Sequence, residues 1–238
     1  MIQPVLRDDS ALTPPPRRKR LIAISFLPAA MTLGNLLCGM LAILNCLLVL
    51  GGFDVPSASG VRARIAEYIP TYLTAGAYLI VASMLFDALD GRLARLTRRT
   101  SAFGAQLDSI ADIVSFGTAP AVLVVAMLLR ESAGDMHPTL AKLIVRFGVL
   151  GAAVYASCAA IRLARYNVEC TKGEEAQRAF SGLPTPGAAS LVVALIAFHE
   201  AVRCDTLGLT LAPIDAWLRW IAPLILVGLG FLMVSRVA

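Results

Sequence analysis

Charge is scarce in this chain. Only 16% of its 238 residues are Asp, Glu, Lys or Arg, against roughly a quarter in ordinary soluble domains, so a water-facing surface of normal extent is excluded. Histidine is rarer still: His137 and His199 are the only two and stand far apart, which argues against either as a metal ligand. The five cysteines, Cys38, Cys46, Cys158, Cys170 and Cys204, show no C-x-x-C spacing and fall mostly within or at the ends of apolar runs. They read as free, packed thiols. There is no internal repeat, and no low-complexity tract beyond one short proline run.

What the chain has is apolar length. With 58% hydrophobic residues and a mean hydropathy of +0.74, it reads as an integral membrane protein. At roughly 20 residues per crossing of a core about 30 Å thick, the chain supplies about six helical spans and little else. The runs are Leu27 to Leu50, Ile69 to Leu89, Leu107 to Leu129, Leu143 to Ala164, Ala188 to Val202 and Trp220 to Val234, the fifth being the weakest. The expected fold is all-α and polytopic, with a basic N-terminal segment, 1–26, before a six-helix membrane domain, 27–238. Glycines and prolines within the runs, such as Gly34, Gly39, Gly117, Pro120 and Pro186, suit close helix contact and kinks in lipid.

Basic residues set the orientation. With six spans, 14 of the 21 Lys and Arg fall on the side that carries both termini and 7 on the other, so both termini are expected in the cytoplasm. The run "PPPRRKR", Pro14 to Arg20, lies just before the first span, where a polybasic stretch orients the chain and meets anionic membrane lipid. Nucleic acid is not expected as a partner. The first span is too long, and too poorly followed by small residues, for a removed signal peptide.

Against this apolar background stands "FDALDGRLARLTRRTSAFGAQLDSIADIVSFG", Phe86 to Gly117. Asp87 and Asp90 are three residues apart at the end of span two, and Asp108 and Asp112 four apart at the start of span three, so each pair shares a helix face. The 17 residues between Asp90 and Asp108 suffice for a hairpin that brings both faces together at the membrane boundary. Four ionised carboxylates there repel one another and are costly to desolvate unless cations sit among them. Hard divalent ions, which take oxygen ligands and retain substrate phosphate oxygens, are the natural partners. Gly91 and Gly104 let a phosphorylated ligand approach the backbone, and Arg95, one turn beyond Asp90, can steady its charge. Simple counting from the acidic content puts a chance match to these four offsets under about one in 100 for the chain.

The residues Asp87, Asp90, Gly91, Ala94, Arg95, Gly104, Asp108 and Asp112 match the pattern D-x-x-D-G-x-x-A-R-x8-G-x-x-x-D-x-x-x-D at every fixed position. In this the chain resembles the CDP-alcohol phosphotransferases. The resemblance implies a six-span helical fold and transfer of a substituted phosphate from a CDP-linked donor to an alcohol, with release of CMP. It further implies two divalent ions, Mg2+ or Mn2+, held by Asp87, Asp90, Asp108 and Asp112, with Asp112 also the general base. Gly91, Ala94, Arg95 and Gly104 would then face the nucleotide and its diphosphate.

Four further segments, "MTLGNLLCG", "LDSIADIVSFGTAPA", "RLARYNV" and "FSGLPTPGAA", resemble the membrane-embedded phosphatidylserine synthases within that family. That likeness implies CDP-diacylglycerol as donor, L-serine as acceptor, and a multi-pass enzyme of the cell inner membrane with its site facing the cytoplasm. One departure is Ala29 after Pro28, where many relatives carry Asn; Asn35 remains in the next turns. Arg162 and Arg165, three apart at the end of span four, suit a carboxylated acceptor, although either equally suits a positive-inside anchor. Asn35, Asn167, Ser181 and Thr185 are weaker candidates for acceptor contacts. Glycerol 3-phosphate, inositol and choline are the competing acceptors, choline being poorly served by two arginines. An ion or proton transporter is the alternative of another class, but it favours acids at midplane rather than at one membrane edge. Small-residue faces are compatible with a homodimer.

Overall fold

The structure, a computed structural model, describes residues 21–53, 69–97, 102–132, 138–170, 182–204 and 212–235. The "PPPRRKR" run, His137 and Ser181 lie outside the described residues. Helix α1 spans Leu21–Leu50 and α2 Tyr72–Thr97. Next come α3, Ala102–Asp112, a π-helical segment, Ile113–Thr118, and α4, Ala119–Ser132, which run on as one rod. Helices α5, Pro138–Cys170, α6, Thr185–Arg203, and α7, Ala212–Val234, complete the chain. No strand occurs among the described residues. Among the described residues, six crossings are long and apolar enough to span a membrane, the composite α3–π–α4 rod being the third.

Helix α1 shows how the sequence divides between core and lipid. Thr32, Asn35, Gly39, Ala42 and Cys46 are buried, at alternating steps of three and four. Leu33, Leu37, Met40, Leu44 and Leu47 recur at nearly the same period on the opposite face and are all exposed. A helix repeats every 3.6 residues, so these are two stripes of one cylinder. Such an exposed leucine face is a liability in water and the normal surface of a helix in lipid. The exposed Leu85, Phe147, Leu150, Leu224 and Phe231 extend that apolar belt around the bundle.

The third crossing is the central one and the most buried of the six. Its α1 face, α6 and α5 meet around Phe116, Leu123, Met127, Tyr155 and Ile196, all fully buried. The widened segment has a local cause, because Pro120 has no N–H to give to the preceding turn and its ring crowds the carbonyl there. The Ala119 N–H reaches back five residues to the Val114 carbonyl, and the Thr118 hydroxyl does the same to Ile113 at 3.1 Å. The Phe116 carbonyl is met from outside the helix by the hydroxyl of Tyr155 at 3.0 Å. The Val114, Ile113 and Phe116 carbonyls of the π turn thus have partners, as buried backbone requires.

Because successive crossings alternate in direction, the start of α1, end of α2, start of α3, end of α5, start of α6 and end of α7 share one end of the bundle. The opposite end is tied by a polar network. Thr71 caps α2 by accepting the Thr74 N–H at 3.1 Å, and its hydroxyl donates to Glu200 of α6. Arg130 at the end of α4 donates to both oxygens of Glu200, at 3.3 and 3.2 Å. His199 and Arg203 also face that carboxylate, and Arg203 and Arg219 approach Glu131. Among the cysteines, Cys38, Cys46, Cys158 and Cys204 are free, as expected.

Candidate active site

At the other end, α2 and α3 bring their aspartates together. One carboxylate oxygen from each of Asp87, Asp90 and Asp108 lies within 4.8 Å of the other two. Asp112, one turn into the rod from Asp108, lies outside that trio but within electrostatic range of Asp87, Asp108 and Asp90. The hairpin inferred from spacing therefore closes as expected, with three acids in contact range and the fourth beside them.

Two residues of α1 hold two of these acids. The Thr32 hydroxyl donates to Asp90 Oδ2 at 3.2 Å, and Asn35 Nδ2 donates to Asp112 Oδ1 at 3.1 Å. Both donors sit on the buried stripe of α1, one turn apart. The helix is pinned in turn by the Ser115 hydroxyl of the π segment, which donates to the Asn35 carbonyl at 2.9 Å. Gly39 makes that contact feasible: a Cβ there would stand 2.7 Å from Ser115 Cα, closer than real contacts come. Thus the segment directly after Asp112 locks the helix that steadies Asp112.

The donor set suits a hard divalent cation. It consists of carboxylate oxygens alone, the ligands that Mg2+ and Mn2+ prefer. Asp108 Oδ1 is buried with no hydrogen-bond partner among the described residues, and no ion pair among them reaches any of the four aspartates. Buried charge in that condition calls for a counterion.

The remaining residues singled out from the sequence fall at this same end, with different partners. Gly91 follows Asp90 on α2 and Gly104 lies in the first turn of α3, both half-buried. Ala94 and Arg95 continue α2, and their side chains lie outside the described part of the structure. Arg162 donates to the Thr185 hydroxyl of α6 at 2.7 Å and lies within electrostatic range of Asp112. Arg165 instead donates to the Val234 carbonyl at the end of α7, at 3.4 Å. Asn167 Nδ2 donates to Ser109 Oγ at 2.9 Å, next to Asp108. The "SGLPTPG" stretch turns at Gly182, whose φ of +126° suits glycine, and Leu183 pairs with the Leu232 carbonyl of α7.

Thr32, Ser109 and Ser115 were not singled out from the sequence. A threonine or serine inside an apolar helix is the available signal, but it does not say which distant group, Asp90, Asn167 or the Asn35 carbonyl, it meets.

Comparison with known proteins follows the same residues. Residues 25–228 match the family described as CDP-alcohol phosphatidyltransferase. A protein of Helicobacter pylori (strain J99) named CDP-diacylglycerol–serine O-phosphatidyltransferase is 41% identical over 116 residues, covering 49% of this chain and 43% of that protein. One of the same name from Mycobacterium tuberculosis (strain H37Rv) is 33% identical over 186 residues, 76% of this chain and 52% of that protein. A third, from Saccharomyces cerevisiae, is 37% identical over 131 residues, 53% and 42% respectively. The chain thus spans about half the length of the curated relatives it matches.

Proposed function

The chain belongs to the CDP-alcohol phosphatidyltransferase family, and on that premise we propose that it transfers a phosphatidyl group from CDP-diacylglycerol to the hydroxyl of L-serine, giving phosphatidylserine and CMP. The observation that carries the reading is the meeting of Asp87, Asp90 and Asp108 beside Asp112 at one end of a six-helix bundle. In this reading Asp87, Asp90 and Asp108 would hold the divalent ions, with Asp112 beside these three aspartates. A bound ion supplies charge neutralisation at the diphosphate as the leaving group departs.

The protein's own groups divide the remaining work. Asp112, fixed by Asn35, takes the proton of the serine hydroxyl as that oxygen bonds to the phosphorus bearing the diacylglycerol. The phosphorus–oxygen bond to CMP breaks, and CMP leaves with the electron pair. A carboxylate serves as base only within hydrogen-bond reach of the proton it takes, so its tether to α1 bears on rate. Gly91 on α2 and Gly104 on α3 leave room for the nucleotide, with Ala94 and Arg95 following Gly91 on α2. Arg162, within electrostatic range of Asp112 and bonded to Thr185, would hold the serine carboxylate in this reading, with Asn167 as a further acceptor contact. Arg165, the other arginine candidate for the acceptor, donates to the Val234 carbonyl at the end of α7. The excess of basic residues on this side of the chain supports a cytoplasm-facing site in the cell inner membrane.

An acceptor panel tests the assignment. The purified full chain in lipid nanodiscs, with CDP-diacylglycerol and Mg2+ or Mn2+, is offered serine, glycerol 3-phosphate, inositol or choline, and CMP release is followed. Serine-dependent CMP release with phosphatidylserine as product is expected. Faster turnover with any other acceptor would overturn the serine assignment while leaving the family chemistry in place.

A further inference from the structure

We infer that Thr32 is a positioning residue for the cation site: its hydroxyl fixes the Asp90 carboxylate and thereby sets how tightly a divalent ion is held. The inference rests on the reading of Asp87, Asp90 and Asp108 as the cation-holding trio. Thr32 lies outside the aspartate motif altogether, on another helix and 58 residues before Asp90.

The two side chains are nearly sealed from solvent, Thr32 at 5% exposure and Asp90 at 6%. A carboxylate with one oxygen tethered no longer turns freely about its terminal torsion, which is otherwise broad. A β-branched donor on a helix is itself confined to few rotamers. The tether also has a firm base, since α1 is held by Ser115 at Asn35 and packed without clearance at Gly39. Groups that orient metal-binding carboxylates from behind typically govern affinity by 10- to 100-fold.

The same stripe of α1 provides an internal contrast. Asn35, one turn on, holds Asp112, which is outside the trio. Thr32 therefore acts on cation affinity, whereas Asn35 acts on the acid that takes the proton. The two substitutions should separate into different measurements.

The test is Mn2+ binding to the purified full chain in nanodiscs without substrate, read as loss of the free-ion electron paramagnetic resonance signal. Thr32→Val, close to isosteric, should weaken Mn2+ binding by about 10- to 100-fold, and Thr32→Ser should restore it. Asn35→Leu should leave Mn2+ affinity near wild type while lowering kcat. At saturating Mn2+, Thr32→Val should regain most of its kcat, a split that general loss of folding does not produce. Thr32→Ala, compared with Thr32→Ser at matched thermal midpoint, decides the matter if Thr32→Val folds poorly. Wild-type affinity in Thr32→Val and Thr32→Ala, with Asp108→Asn impaired, overturns the role of Thr32 alone. Equal weakening in Thr32→Ser also overturns it, because the hydroxyl is then not the agent. Mn2+ binding absent in wild type, or unaffected in Asp108→Asn, overturns the cation reading and the inference with it.

Discussion

Glu200→Gln should destabilise the bundle markedly while leaving the aspartate end intact. The Glu200 carboxylate is 1% exposed and faces Arg130, Arg203, His199 and Thr71. Glutamine keeps the shape and one oxygen, but replaces the other with an NH2 group aimed at donors. Breaking a buried pair by neutralising one partner costs about 3 to 5 kcal/mol. Arg130 and Arg203 retain water contact, at 24% and 33% exposure, and Glu131 stays near Arg203, so about 2 to 3 kcal/mol is the reasoned value here. At roughly 2 to 4 °C per kcal/mol for a chain of this size, the apparent midpoint in detergent should fall by about 4 to 12 °C. Glu200 lies 15 residues along α6 from Thr185, or about 22 Å at 1.5 Å per residue, so turnover per folded molecule should stay within about twofold, additivity being the rule at that range. The double variant Glu200→Gln with Arg130→Met should cost less than the two single changes summed. An unchanged midpoint, or strict additivity of the pair, would refute the view of this network as a helix staple.

The remaining predictions concern the aspartate end. Excess chelator should abolish CMP release, and added Mg2+ or Mn2+ should restore it, since the clustered carboxylates require a counterion; turnover undiminished by chelator would defeat this. Asp112→Asn should abolish transfer while sparing most binding of CDP-diacylglycerol, because loss of a base affects the chemical step more than affinity; equal loss of both would mark it as a cation ligand only. Arg162→Lys should raise the KM for serine by about 10- to 150-fold, the loss of one charged hydrogen bond at roughly 1.5 to 3 kcal/mol, with the KM for CDP-diacylglycerol little changed. Normal serine kinetics in that variant would reduce Arg162 to an anchor.

Which of these features were legible beforehand depends on how far apart the interacting residues stand. The six crossings follow from runs of apolar residues, a local property, although the helices outrun them: Leu143 to Ala164 became Pro138–Cys170, because polar residues at a bundle end continue a helix as readily as apolar ones. The aspartate pairs were legible because helical spacing aligns each pair and a short hairpin limits where they meet. Thr32 to Asp90 and Thr71 to Glu200, separated by 58 and 129 residues, carry no spacing rule. His199 stands isolated in the sequence, yet it faces Glu200 in a network assembled from α6, the start of α2 and the end of α4. Gly117 and Pro120 read as punctuation; that they mark a π segment depends on Tyr155 supplying a hydroxyl from another helix.

The two polar ends of the bundle differ in a way that bears on function. At the Glu200 end, among the described residues, two carboxylates face three arginines, and each carboxylate has an arginine nitrogen within 4 Å. Such a set is complete without a ligand, which is what a structural tie requires. At the aspartate end, four carboxylates converge, Arg162 lies in range of one of them, and no described ion pair reaches any. Helix α1 supplies neutral donors there, a hydroxyl and an amide, which orient acids without cancelling their charge. Among the described residues, neutral donors thus stand behind the acids at this end, while arginines face the carboxylates at the other. That asymmetry among the described residues supports placing the chemistry at the aspartate end on physical grounds.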